Sequence, residues 1–275
     1  MNQTFIHVIL DKSGSMESCR ADTIGGFNSF VKKQKEIKAD SAFLSLYQFD
    51  HEYFINYQNK KIEQVEELTY ETFEPNGQTA LLDAIGKTIT PIQHPGESYV
   101  IIVIITDGQE NSSQEFSKST INDLIQKKKE LGWEFVFLGA NQDAIQEAST
   151  LGICGNSALT YDTNNSKEAF TCLSGAISRS RSTPMKEARS IAFTPQERSL
   201  SLGSDVVIVS EKRSWPELIG YSGEEAKRII EMENPNLNVQ IMNVDIRSSR
   251  DLRNNRVRIV VDRDTNRVVS EPKVG

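Results

Sequence analysis

The chain of 275 residues is long enough for one large domain or two of ordinary size, and its 37% hydrophobic and 25% charged residues exclude a disordered or collagen-like protein. Its net charge of −7 argues against non-specific binding to nucleic acid, which requires a basic face. The charge is uneven, because residues 212–275 carry 12 Lys and Arg against 10 Asp and Glu, a net of +2 that leaves −9 for the preceding residues. This change of sign predicts two units with different tasks.

Strand and helix signals alternate over the first two hundred residues, which predicts an α/β fold with a doubly wound, mostly parallel sheet. The predicted elements are, in chain order, strand 5–10, helix 24–37, a hairpin-like strand pair at 42–49 and 52–57, helix 81–92, strand 99–105, helix 117–131, strand 134–138, helix 142–151 and helix 167–180. The apolar run at 100–105 is typical of a central strand that is buried on both faces.

Polar side chains cluster where the predicted strands end, and the sites of open α/β sheets lie at the carboxyl ends of their strands. The candidate residues are Asp11, Ser13, Ser15, Thr79 and Asp107. Two carboxylates and three hydroxyls form a set of hard oxygen ligands, without sulfur or imidazole, that suits Mg²⁺ or Mn²⁺. The Asp-x-Ser-x-Ser segment on its own is also typical of a turn or a helix cap.

This set resembles the metal-ion-dependent adhesion site of the von Willebrand factor type A domain. Asp11, Ser13 and Ser15 match the first motif of that site, Thr79 in Gly77-Gln78-Thr79 matches the second, and Asp107 in Thr106-Asp107-Gly108 matches the third. The resemblance covers roughly residues 4–180 and is closest to the compact bacterial stand-alone members. It implies a divalent metal with an open coordination position, which a carboxylate of a partner protein completes.

Other polar residues of this unit are interpreted as structural. We expect Asp83 to lie on a helix surface and Asn141 to cap a helix. His7, His51 and His94 stand in no motif that pairs a histidine with a nucleophile, and the chain has no phosphate-binding loop of the Gly-x-x-x-x-Gly-Lys type. These observations predict a unit that is not an enzyme, and they disfavour a metal-assisted hydrolase because no general base stands beside the carboxylates.

Apolar periodicity fades after the predicted last helix of this unit. We therefore place a first domain at 1–181, a mobile linker with a short helical turn at 182–211, and a second domain at 212–275. Arg179 and Arg181 are interpreted as part of a solvated linker face. The segment 205–210 could form an edge strand of either neighbour.

The downstream unit is small and is expected to depend on a few large side chains, with Trp215 as the anchor. Ser222 is the predicted N-cap of a helix that ends at Asn234-Pro235, and residues 239–244 and 256–262 are predicted strands. The eleven residues between these strands, 245–255, are polar. A loop of that length in so small a domain favours a functional role.

This unit resembles the potato inhibitor I family of serine protease inhibitors over its whole length, as a small α+β domain. The match includes Trp215-Pro216-Glu217-Leu218-Ile219-Gly220, Arg250-Asp251-Leu252-Arg253 and the segment from Asn255 to Val260. It implies that the loop is the reactive-site loop, with Arg250 as the P1 residue on the N-terminal side of the attacked bond. The implied loop residues are Arg247, Ser248, Ser249, Arg250, Asp251 and Leu252, supported by Arg253, Arg256 and Arg258.

An arginine at P1 implies a trypsin-like target protease, because such enzymes have an acidic residue at the base of the specificity pocket. Arg247 at P4 gives the Arg-x-x-Arg pattern of furin-like enzymes of the subtilisin fold, so both target classes stay open. The leading hypothesis is a serine protease inhibitor carried on a metal-dependent protein-binding domain. The alternative is an adhesion or scaffold protein with a degenerate inhibitor domain.

The remaining expectations concern the compartment. Cys19, Cys154 and Cys172 are odd in number and widely spaced, so we expect them to be reduced and structural. The sequence has no signal peptide and no apolar run near the length of a membrane span. A cytoplasmic location is the default expectation, with export by a non-standard route as the alternative.

Overall fold

The computed structural model describes residues 3–93, 98–140, 144–183, 190–203, 214–234, 237–244 and 256–274. The chain forms two compact units, which divide near residue 205. Each unit is described by itself.

The first unit is an α/β domain, which confirms the predicted fold class. Its elements are β1 Gln3–Asp11, α1 Arg20–Glu36, β2 Ser41–Phe49, β3 Tyr53–Lys61, α2 Leu81–Ile89, β4 Tyr99–Thr106, α3 Lys118–Glu130, β5 Glu134–Ala140, α4 Ala144–Thr150, β6 Ala158–Tyr161, α5 Ser166–Ser182 and α6 Pro195–Ser201. The sheet has the strand order β3-β2-β1-β4-β5-β6, and only β3 runs antiparallel to its neighbour. The sequence did not predict the short strand β6.

The sheet is buried on both faces because alternate residues of its central strands enter different cores. In β4, Ile101 and Val103 join the cluster that contains α1 and α5, whereas Ile102 and Ile104 join the cluster that contains α2 and α3. All eight residues of β4 are buried. Each fully buried side chain of this size contributes about 1.5–3 kcal/mol to the free energy of unfolding, so the alternation fixes the register of the strands.

The segment 190–203 differs from the predicted linker, because it packs against the edge of the first unit. The Arg198 guanidinium donates hydrogen bonds to the carbonyls of Ala158 (2.7 Å) and Gly155 (3.0 Å), and Ser201 Oγ donates to the carbonyl of Thr160 (2.7 Å). These bonds satisfy two carbonyls of the edge strand β6 and one in the turn before it. Helix α6 from Glu197 onward therefore belongs to the first unit, and the linker prediction is wrong for this part of the chain.

The prediction of a solvated Arg181 is also wrong. Helix α5 continues to Ser182 and places Arg181 four residues after the buried Ile177, on the same helix face. The Arg181 side chain is 0% exposed and lies 2.6 Å from a carboxylate oxygen of Asp40, whose side chain is 1% exposed. Its guanidinium also donates to the side-chain oxygen of Gln34 (2.9 Å). Arg179 differs, because it is half exposed and pairs with Glu197.

The described residues of the second unit form one α-helix, one short 3-10 helix and a three-stranded sheet. Its elements are α7 Gly223–Glu233, β7 Asn238–Asn243, β8 Arg256–Val261 and β9 Lys273–Val274, and β8 lies between a parallel β7 and an antiparallel β9. Trp215 is 0% exposed at the centre of the core, which confirms it as the anchor. The side chain of Ser222 accepts a hydrogen bond from the amide of Glu225, which confirms the N-cap.

Two further observations concern membrane-spanning helices and the cysteines. None of the helices in the described residues is long and apolar enough to cross a membrane. Cys19, Cys154 and Cys172 are free thiols, of which only Cys154 is exposed. The predicted edge strand at 205–210 lies outside the described residues.

We predict that Arg181→Met lowers the free energy of unfolding of the first unit by about 3 kcal/mol or more, because Asp40 then stays buried without its charged partner. The matched variant Arg179→Met removes a half-exposed arginine from the same helix, where solvent screens its pair with Glu197, and should cost about 1 kcal/mol or less. Urea unfolding followed by far-UV circular dichroism measures both changes. Equal losses in the two variants would contradict the assignment of Arg181 to the core.

Candidate functional site

The carboxyl ends of β1 and β4 meet at one edge of the sheet. The two strands pair in parallel with Leu10 opposite Ile105, so Asp11 ends its strand beside Thr106. Asp107 follows directly after β4, and Thr79 lies two residues before α2. The structure therefore brings the predicted loops together.

A chain of hydrogen bonds connects four of the five predicted residues. Asp11 Oδ1 accepts from the amide of Ser13 (2.7 Å), and the hydroxyls of Ser13 and Ser15 lie 3.1 Å apart. Ser15 Oγ donates to Asp107 Oδ1 (2.6 Å). Both carboxylates and both serine hydroxyls thus face one small volume.

The fifth residue, Thr79, faces the same volume from the loop before α2. A Cβ atom built on Gly108 would lie 2.9 Å from Thr79 Oγ1 and 3.5 Å from Ser15 Oγ. A side chain at position 108 would therefore crowd the space between the two hydroxyls. The glycine after Asp107 leaves this space open.

The two carboxylates of the site are shielded from water to different degrees, since Asp11 is buried and Asp107 is partly exposed. Asp11 is 0% exposed. Burial raises its pKa to about 6, although hydrogen bonds from Thr106 and Ser13 lower it and the nearby charge of Asp107 raises it slightly. Burial also raises the pKa of Asp107. Among the described residues, no Lys or Arg forms an ion pair with either carboxylate.

This donor set fits a hard divalent cation. The two carboxylates would supply negative charge and the three hydroxyls neutral oxygens, a combination that Mg²⁺ and Mn²⁺ accept while keeping some water ligands. In the part of the chain that the structure describes, no three His, Cys, Asp or Glu side chains are grouped to hold a metal. A thiolate or imidazole zinc site is therefore not available in those residues.

Several polar residues around this site were not among those predicted from the sequence. Thr106 Oγ1 donates to Asp11 Oδ2 (2.6 Å) and so orients the buried carboxylate. The sequence signal for Thr106 was its position directly before Asp107, in a strand that pairs in parallel with the strand of Asp11. Glu110 and Asn111, in the polar loop after β4, contact the segment that carries Thr79 and α2. No local pattern indicates those contacts.

The polar residues that the sequence predicts to be structural differ in their surroundings. Asp83 is buried rather than on a helix surface, and its carboxylate accepts hydrogen bonds from backbone amides of the loop after β4. His7 is buried with Nδ1 3.3 Å from the hydroxyl of Tyr47, and His51 Nδ1 lies 3.2 Å from Asp50 Oδ1. Asn141 and His94 lie outside the described residues.

The second candidate site is only partly described. Residues 245–255 lie outside the described residues, and with them Arg247, Ser248, Ser249, Arg250, Asp251, Leu252 and Arg253. Arg256 and Arg258 are the first and third residues of β8. Because β7 and β8 are parallel, the residues between them must connect opposite ends of the strand pair.

Strand β8 separates its apolar residues from its arginines. Val257, Ile259 and Val261 are buried in the core with Trp215, so Arg256 and Arg258 project from the opposite face. Arg256 is nevertheless only 6% exposed, and Arg258 is partly buried. Burial of an unsatisfied charge is costly, and both arginines have interaction partners. Trp215 is fixed by a 2.6 Å hydrogen bond from Nε1 to Glu233.

Comparison with known proteins matches both parts of the chain to families. The model of the von Willebrand factor type A domain matches residues 6–173, and the model of the potato inhibitor I family matches residues 208–275. Structural neighbours of the first unit include proximal thread matrix protein 1 of the mussel byssus, described with a zinc-occupied MIDAS motif. It is 15% identical with a TM-score of 0.48, over 62% of this chain and 46% of that protein. This chain thus covers less than half of that neighbour's length.

The curated relatives match the second unit. An inhibitor of trypsin and Hageman factor from Cucurbita maxima is 45% identical over 64 residues, which are 23% of this chain and 93% of that protein. A trypsin/subtilisin inhibitor from Amaranthus caudatus is 43% identical over 63 residues, which are 23% of this chain and 90% of that protein. The similarity thus spans nearly all of these small proteins and about a quarter of this chain.

Proposed function

We propose that this chain, which belongs to the von Willebrand factor type A domain family and to the potato inhibitor I family, is a serine protease inhibitor carried on a metal-dependent protein-binding domain. The observation that carries the proposal is the 45% identity to a trypsin inhibitor over 93% of that inhibitor's length. The proposed role is non-enzymatic, because the inhibitor relatives act by binding proteases.

The proposed reactive-site loop comprises Arg247, Ser248, Ser249, Arg250, Asp251 and Leu252, with Arg250 as the P1 residue. A loop already held in the extended shape that a protease binds loses little conformational entropy on docking, so more of its contact energy contributes to affinity. Cleavage of such a loop is slow when the segment after the cut stays in place and can re-form the bond. The loop therefore needs a rigid support on the strand behind it.

Arg253, Arg256 and Arg258 are the proposed support. The 6% exposure of Arg256, on the face of β8 opposite the core, favours a guanidinium that is engaged by neighbouring chain. Arginine suits this task because its planar fork makes several geometrically fixed hydrogen bonds to carbonyl or carboxylate oxygens at once. Lysine provides a single, more mobile point charge.

The proposed target is a trypsin-like protease or a furin- or subtilisin-like one. Arg250 needs an acidic specificity pocket, which trypsin-like enzymes have. Arg247 adds a second arginine three residues earlier, which suits enzymes that recognise paired basic residues. Relatives named as inhibitors of trypsin and of trypsin and subtilisin support both classes.

The first unit is proposed to bind a protein partner through Mg²⁺ or Mn²⁺. Asp11, Ser13, Ser15, Thr79 and Asp107 would hold the ion, which when bound offers an open position to a partner carboxylate. Asp11 and Asp107 supply the negative charge, and Thr106 keeps Asp11 oriented by its 2.6 Å hydrogen bond. Gly108 keeps the space between Thr79 and Ser15 open.

We predict that Arg250→Ala weakens inhibition of trypsin by the full chain at least about 30-fold, the change for a 2 kcal/mol interface hot spot. The matched variant Arg247→Ala should change trypsin inhibition by only a few fold but weaken inhibition of a furin-like convertase. Inhibition constants for trypsin, subtilisin and a convertase measure this. A wild-type chain that all three enzymes simply digest would reject the inhibitor proposal and leave the degenerate domain as the alternative.

We predict that Arg256→Ala turns stable inhibition into temporary inhibition, with cleavage after Arg250 accelerated about 10- to 100-fold, because one charge-assisted hydrogen bond contributes about 1.5–3 kcal/mol. Arg263→Ala, in the exposed turn after β8, should behave as wild type. Mass spectrometry of the chain during incubation with trypsin follows the cut. Equal cleavage rates in the two variants would show that Arg256 does not support the loop.

We predict that Mg²⁺ or Mn²⁺ at about 100 times its Kd stabilises the first unit by about 2.7 kcal/mol and raises its melting temperature by about 5–10 °C. Asp11→Ala should abolish this shift, whereas Glu17→Gln, at an exposed carboxylate nearby, should keep it. Differential scanning calorimetry with and without a chelator measures the shift. The same metal-dependent shift in Asp11→Ala and wild type would remove Asp11 from the site.

A further inference from the structure

We propose that Asp83, together with Glu110 and Asn111, positions the metal ligands Thr79 and Asp107 relative to each other. The inference rests on the metal site proposed above and adds residues that lie outside the ligand set. Asp11, Ser13 and Ser15 belong to one short loop, so the chain itself fixes their spacing. Thr79 and Asp107 come from separate loops, so other contacts must set their distance.

Asp83 is the centre of these contacts. It lies in the first turn of α2 and is 8% exposed. Its Oδ2 accepts from the amide of Gln114, and its Oδ1 accepts from the amides of Glu115 and Phe116, all at 2.9 Å. A carboxylate can accept all three bonds because it has only acceptor sites. One side chain of α2 therefore holds the last part of the loop that begins with Asp107.

Glu110 makes the reciprocal contact from the loop to the helix. Helix α2 begins after Ala80, which provides no side-chain cap. Instead Glu110 Oε2 accepts from the amide of Leu82 (3.0 Å), while Oε1 accepts from the amides of Ser112 (3.0 Å) and Ser113 (2.7 Å). The amide of Asp83 donates to Ser113 Oγ (3.0 Å). Two of the free amides of this helix start, those of Leu82 and Asp83, are thus satisfied by the neighbouring loop.

Asn111 acts on Thr79 directly. Its Oδ1 accepts from the Thr79 amide (2.9 Å), and its own amide donates to the Thr79 carbonyl (3.1 Å). The backbone of Thr79 is therefore held on both sides by one residue, which lies four positions after Asp107. The two ligands are connected through a path of hydrogen bonds that is only a few residues long.

Packing reinforces the same connection. The ring of Phe116 lies against Gly86 of α2 so closely that a Cβ there would come within 2.5 Å of ring atoms. Any side chain at position 86 would push this ring, and with it the loop, away from the helix. Hydrogen bonds and packing together make the loop 107–116 and the first half of α2 one body.

This arrangement prepares the site for a cation. Ligands that are already at their final separation bind a metal without the entropy cost of ordering a loop, and partners of the ligands commonly contribute 10- to 100-fold to metal affinity. Asp83 is thus a positioning residue, because its carboxylate accepts from the backbone amides of Gln114, Glu115 and Phe116 and is not itself a proposed ligand. Its effect should appear in affinity and not in the number of ions bound.

The test is a titration of the full chain with Mn²⁺ by isothermal calorimetry. We expect Asp83→Ala to weaken the Kd about 10- to 100-fold while still binding one ion, and Asp83→Asn to lose less, since its remaining carbonyl oxygen can accept from Glu115 and Phe116. Asp11→Ala should abolish binding. Asp162→Ala is the matched control, because Asp162 also caps a turn of this unit through a backbone amide, that of Asn164.

Hydrogen exchange of the metal-free proteins provides an independent measurement. The amides of Gln114, Glu115 and Phe116 should exchange faster in Asp83→Ala than in wild type, and Asp162→Ala should leave them unchanged. Wild-type Mn²⁺ affinity in Asp83→Ala, or an equal loss of affinity in Asp162→Ala, would overturn the positioning role. Absence of Mn²⁺ binding to the wild-type chain would overturn the metal site itself and this inference with it.

Discussion

The parallel pairing of β1 with β4 is the interaction on which the candidate metal site depends. Both strands are buried on both faces, so a register slip of one residue would turn every apolar side chain toward the wrong core. The apolar residues of these strands therefore fix where each strand ends. Asp11 and Asp107 emerge at the same edge as a result, and the cores that fix them there also keep water from Asp11. The packing of β1 and β4 therefore determines both the position of the site and the exclusion of water from Asp11.

The sequence predicts this part of the structure well because its signals are local. Apolar runs and helical spacing predict the main elements, and polar residues at strand ends predict the site. The structure confirms the α/β fold, and the family models confirm both family resemblances. Asp83 and Arg181 were misjudged because their partners are distant in the chain. Arg181 pairs with Asp40, 141 residues away, and Asp83 binds amides more than thirty residues away. From the sequence alone, a charged residue at a helix end is expected to be solvated, because its distant partner is not visible in the local pattern.

The second unit shows how a small domain combines a core and a functional strand. Its core is a Trp215-centred cluster, and β8 contributes Val257 and Ile259 to it from one face. The other face of the same strand carries Arg256 and Arg258. The alternation of side chains along a strand thus ties any support of the neighbouring loop directly to the most buried part of the unit.

The candidate sites of the two units differ in the sign of their charged side chains. In the first, the buried carboxylate of Asp11 and the partly exposed carboxylate of Asp107 lie close together, and residues 1–211 carry a net charge of −9. No described Lys or Arg pairs with Asp11 or Asp107. The same unit does supply an internal cation elsewhere, since Arg181 pairs with the buried Asp40. The first unit as a whole therefore does not lack internal cationic side chains. Positive charge is missing only locally, beside Asp11 and Asp107, at the edge where a cation from solution can enter. In the second unit the arginines proposed to support the loop are part of the chain, so that proposed role needs no external ion. Binding by the first unit should accordingly depend on divalent metal, whereas protease inhibition by the second should not.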